Sequence, residues 1–87
     1  MKVFKEKYDG LQGVAVILTE EEYNLWWDYR NRPEQRKLQD IIAKTLRGLY
    51  PNNSMRHADK SWLEYVAEQE NTTSKYIRGW LVDTTQS

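Results

Sequence analysis

The chain has no cysteine and a single histidine, His57. Without thiols there is neither a disulfide framework nor a thiolate metal site. A lone histidine with no carboxylate at ligand spacing reads as a surface residue rather than a general base or metal ligand. A Gly-rich phosphate loop and a nucleophile elbow are also missing, so no enzyme activity, cofactor or metal is expected. The longest apolar run, Val14 to Leu18, is far too short to cross a bilayer, and no basic segment followed by an apolar one opens the chain. A cytoplasmic protein of a bacterial or infected host cell, without a membrane partner, is the expectation. Excess charge is missing too: 13 Lys and Arg balance 13 Asp and Glu. That balance argues against a protein that coats nucleic acid indiscriminately.

What the chain does have is aromatic residues, 13% of its length, including four Trp and six Tyr. Large rings bury much area each, so 87 residues can still form one domain with a small core. The charge is unevenly spread. Residues 29–60 carry eight Lys or Arg against three acids, whereas the segments on either side are net acidic. Either a polarised surface or ordinary solvated helix faces would produce this pattern.

Taken in order, Lys2–Tyr8 and Leu11–Leu18 are β-prone, and Asp9-Gly10 between them suits a two-residue hairpin turn. Gly13 weakens the second strand or marks a bulge. Thr19-Glu20-Glu21-Glu22 is a capping box opening a helix, and its carboxylates suit the positive end of the helix dipole. Tyr23, Trp26, Trp27 and Arg30 follow at helical spacing. Trp26 and Trp27 point about 100° apart, so one should enter the core while the other lies at its margin or in a contact surface. Asn31-Arg32-Pro33 breaks this helix and starts another, running to about Leu49, with Leu38, Ile41, Ile42, Thr45, Leu46 and Leu49 on one face. Gly48 costs that helix about 1 kcal/mol relative to Ala, a hint of close packing or an early end. Tyr50–Ser54 reads as a loop, and Met55–Lys60 as a single helical turn begun by Ser54. Ser61-Trp62-Leu63-Glu64 is a second capping box.

From Ser61 to Asp83 the chain reads as two short helices meeting at Glu70-Asn71-Thr72-Thr73. Leu63 opens the first, Ala67 is small where helices would touch, and Asn71 tolerates the left-handed conformation of a sharp turn. Thr73 or Ser74 could cap the second, and Ile77 and Trp80 could seat it. This spacing resembles the helix-turn-helix family of DNA-binding units over residues 63–82. Glu70 and Thr72 depart from it, standing where the family is usually apolar. The resemblance implies a recognition face of Thr73, Ser74, Lys75, Arg78 and Gly79, with further phosphate contacts from Arg56 and Lys60. It implies a small prokaryotic or phage-type regulator binding specific double-stranded DNA, most simply as a homodimer.

A second reading comes from small size, zero net charge and abundant aromatics: a phage-type inhibitor that binds a host enzyme or complex. Tyr23, Trp26 and Trp27 would be its protein interface. The expected fold class is α+β and mostly α, in a single domain over 1–87. An N-terminal β-hairpin (1–18) precedes a helical core (19–60), a helix-turn-helix (61–83) and a frayed tail (84–87), with about four short helices in all.

Overall fold

The computed structural model describes residues 1–83; the tail expected at 84–87 lies outside the described residues. In chain order the elements are β1 (Lys2–Tyr8), β2 (Leu11–Ile17), α1 (Glu20–Trp26), α2 (Arg32–Leu49), β3 (Met55–His57), α3 (Lys60–Gln69), a 3-10 turn (Ser74–Tyr76) and β4 (Ile77–Val82). The four strands form one antiparallel sheet in the order β1-β2-β4-β3. Edges are therefore β1 on one side and the three-residue β3 on the other.

Local chemistry explains the first half. Asp9 and Gly10 both take positive φ, at 51° and 78°, the requirement of the tight turn between β1 and β2. Tyr8 pairs with Leu11 and Lys2 with Ile17 in an uninterrupted register, so Gly13 makes no bulge. Thr19 and Glu22 complete the capping box of α1: the Glu22 amide donates to Thr19 Oγ1, and the Thr19 amide to Glu22 Oε1. Pro33 sits in the first turn of α2, where its missing amide is not needed.

The register places Phe4, Tyr8, Ala15, Ile77, Gly79 and Leu81 on one face of the sheet, and α3 covers it with Trp62, Val66 and Ala67. On the opposite face, Val3, Val16 and Trp80 meet α1 and α2 through Tyr23, Trp26, Leu38 and Ile42. The sheet is thus the middle of three layers. A strand covered on both faces has no polar side, which explains why β2 reads as a continuous apolar run.

The second half of the chain corrects the expected fold. The domain is α+β but not mostly helical with four short helices; among the described residues it has three α-helices and a four-stranded sheet, of which the N-terminal hairpin is half. The expected helix-turn-helix is absent. Asn71 does turn sharply, with φ 54°, but its role is to end α3. The Thr72 amide donates to Ala67 O at 2.9 Å and the Asn71 amide to Glu68 O at 3.3 Å, a Schellman cap. Beyond it the chain extends into β4, which lies between β2 and β3 and satisfies its backbone there. Three smaller expectations fail as well. Met55–His57 is a strand rather than a helical turn, and α3 starts after Asp59, leaving Ser61 within its first turn instead of at the cap. Ile41, expected on the inner face of α2, is 52% exposed.

Candidate functional site

The first turn of α1 is held by Thr19, and the helix spaces Tyr23, Trp26 and Trp27 at i, i+3 and i+4. Trp26 packs with Leu38 and Ile42. Trp27, the helix's C-terminal cap residue, is 51% exposed, and Tyr29 just beyond it is 63% exposed. This connection is tied down by hydrogen bonds. The backbone N–H of Asp28 donates to Leu25 O, that of Tyr29 to Trp27 O and that of Asn31 to Asp28 O, and the Arg30 amide donates to Asp28 Oδ1. Gln35, buried on α2, donates through Nε2 to Trp26 O at 2.7 Å and satisfies a carbonyl the helix end would leave unpaired.

From β4, Arg78 projects into this aromatic group. Its guanidinium carbon lies 5.3 Å from the Trp26 ring centre, 5.5 Å from Trp27 and 6.0 Å from Tyr23, all within cation–π range. Lys75 Nζ lies 5.0 Å from the Tyr76 ring and 5.7 Å from Tyr23; Arg32 sits 5.8 Å from Tyr29. Tyr23 and Tyr76 meet edge to face at 5.3 Å.

Electrostatically the group is lopsided. Arg78 donates to the Ile77 carbonyl at 3.0 Å, but its Nε is buried without an acceptor among the described residues. Ion pairs among the described residues join Met1 to Glu22, Lys2 to Glu70, Lys37 to Glu34, Arg56 to Asp59 and Lys60 to Glu64, and none of these involves Arg32, Lys75 or Arg78. Burial pulls the Arg78 guanidinium below its usual pKa, opposed by Tyr23. It stays cationic at neutral pH, since arginine does not deprotonate in proteins.

The residues expected to read DNA are dispersed. Lys75 and Arg78 join the aromatic group on the α1 side of the sheet. Gly79 faces the other way and is buried beneath Trp62: a Cβ there would lie 2.4 Å from the indole. Arg56 pairs in register with Leu81 on that second face and lies 3.5 Å from Asp59. Lys60 opens α3 and lies 3.9 Å from Glu64. Thr73 and Ser74 flank the start of the 3-10 turn. No helix carries these seven residues together.

Conversely, Tyr23, Trp26 and Trp27 do converge, and Lys75 and Arg78 converge with them. The reading from sequence missed Tyr29, Arg32, Tyr76 and the tie made by Gln35. Tyr29 and Arg32 lie in and beyond a helix break, where periodicity gives no direction, and Tyr76 meets Tyr23 only through sheet pairing. Among the described residues no three His, Asp or Glu side chains gather as a metal site, and no helix is long and apolar enough to cross a membrane. No protein-family model, curated protein or solved structure matches this chain.

Proposed function

We propose that this chain works by binding another protein, without catalysis of its own, and that the connection from Trp27 to Arg32 is its contact surface. The observation that carries this reading is the exposure of Trp27 and Tyr29 on a hydrogen-bonded turn, with arginines laid against both rings. Trp, Tyr and Arg are the residues that dominate binding energy in protein interfaces, and anchors held rigid before contact lose little entropy on docking. Among the described residues Arg32, Lys75 and Arg78 pair with no carboxylate, which favours an acidic complementary surface.

Capture of cellular proteins with a tagged chain, followed by binding measurements on the purified partner, tests the reading. Trp27→Ala and Tyr29→Ala should each weaken the complex by about 2 kcal/mol, roughly thirtyfold in Kd, with the circular dichroism spectrum unchanged. An affinity that survives both changes sinks the proposal. Duplex DNA serves as the competing arm: a DNA affinity whose logarithm falls linearly with log salt, with no protein partner affected by Trp27, would favour the regulator reading instead. Such binding would need a surface other than a recognition helix, because Arg78 and Gly79 are in a central strand.

A further inference from the structure

A concave surface elsewhere on the molecule shares no residue with the Trp27 group. At the C-terminal end of α2, Gln12 Nε2 donates to the hydroxyl of the cap residue Tyr50 at 2.8 Å, and Lys5 Nζ lies 4.9 Å from the Tyr50 ring. Trp80 of β4 and Met55 of β3 are left without a complete cover. Between them and α2 opens a cleft of about 310 Å³, walled by Ala43, Leu46, Arg47 and Tyr50. The His57 ring, 5.9 Å from that of Trp80, stands beside the cleft floor. Trp80 and Met55 are only half-buried although they pair within the sheet.

The lining has a particular chemistry. Leu46, Met55 and Trp80 make an apolar interior, and no acidic side chain of the described residues lines it. Among the described residues its charged group is Arg47, exposed, with no carboxylate of those residues in ion-pair range. Lys5 adds a second cation over the Tyr50 wall. The Tyr50 hydroxyl accepts from Gln12, so its own proton is free to donate. The volume lies near the bottom of the range for small-molecule sites, roughly 300–1,000 Å³, which suits one ring or short chain rather than a nucleotide.

We propose that this cleft binds a small organic acid: an apolar ring or short alkyl chain carrying one carboxylate. The apolar part lies on Trp80 and Met55, and the carboxylate meets Arg47 at the rim. An arginine offers a fork that matches a carboxylate, whereas an ammonium or a neutral head would gain nothing from it.

Three probes with one tail and different heads test this: 4-phenylbutyrate, 4-phenylbutanol and 4-phenylbutylamine, titrated into the isotopically labelled full chain by NMR. Saturable shifts of the Trp80 indole N–H and the Met55 methyl are expected with the acid, which should bind about tenfold more tightly than the alcohol, with the amine weakest. Arg47→Gln should bring the acid's affinity down to that of the alcohol and leave the alcohol unchanged. Ala43→Phe should fill the cleft and remove the Trp80 and Met55 shifts for all three. The proposal is overturned if those two signals do not respond, if the three heads bind equally, or if Arg47→Gln leaves the preference for the acid intact.

Discussion

Trp62 is fully buried, and its indole lies on a floor of residues with little or no side chain. Gly79 pairs with Ala15 in the sheet, and a Cβ at Gly13 would lie 2.9 Å from the Trp62 ring and 2.6 Å from the Trp80 carbonyl. Neither glycine is needed for an unusual backbone angle; both are needed for space. Gly79→Ala should therefore destabilise the fold by about 1–3 kcal/mol through overpacking, seen as a lower urea midpoint with an unchanged slope. Trp62→Ala should cost more, about 3–5 kcal/mol, because it empties the same slot. Glu22 makes a separate prediction. Burial pushes its carboxyl up, but the Thr19 backbone bond at 2.9 Å and the Met1 ammonium at 3.0 Å outweigh this and hold it below the usual carboxylate value. A carboxyl depressed in the folded state stabilises fully above its unfolded pKa, about 4.3, and ceases to do so as pH falls through the lower folded value. Glu22→Gln should flatten that part of the acid-side fall in stability when unfolding midpoints at pH 7 and pH 3 are compared.

Among the elements, those with local signatures were readable from sequence. Asp9-Gly10, the Thr19 cap and Pro33 each act within a few residues, so the strands and helices around them could be located without knowing the fold. β4 could not be. Ile77 and Trp80 lie three apart, which fits a helix face, and cover on both sides of the sheet erases the alternation that marks a strand. Its pairing is also remote, with Leu81 opposite Gly13. The available signals were composition and length: an Ile-Arg-Gly-Trp-Leu-Val run is short for a helix, rich in β-formers, and carries a poor helix former at its centre. The α3 corner was visible for a related reason, since Asn71 tolerates positive φ, but that chemistry ends a helix equally well whichever element follows. Replacing Asn71 by Val should cost about 1–2 kcal/mol, while Gly should be tolerated. Hydrogen exchange tests the placement of β4. Its amides and those of β2 should exchange only on global unfolding, and faster exchange in β4 than in α1 would contradict its central position.

For the whole molecule, the central strands serve two cores at once. Ala15, Ile77 and Leu81 face α3, while Val16 and Trp80 face α1 and α2. Neither layer can be removed without stripping cover from the same backbone. The chain should unfold in a single transition, with far-ultraviolet dichroism and tryptophan fluorescence superimposing along a urea curve; separated curves would mean the layers melt independently. The candidate site was legible only in parts at this scale. Tyr23, Trp26 and Trp27 could be singled out by composition and helical spacing, whereas Arg78 reaches them only because β4 crosses the sheet beside β2. The seven-residue β1, which borders the sheet opposite β3, has Lys2, Lys5 and Lys7 along it. Two copies meeting there would crowd ammonium groups against one another, a repulsion that guards an open strand against fibrous stacking. Substituting Thr at Lys5 and Lys7 would lift that guard, and the chain would be expected to polymerise at concentrations where the lysine-bearing form stays dispersed.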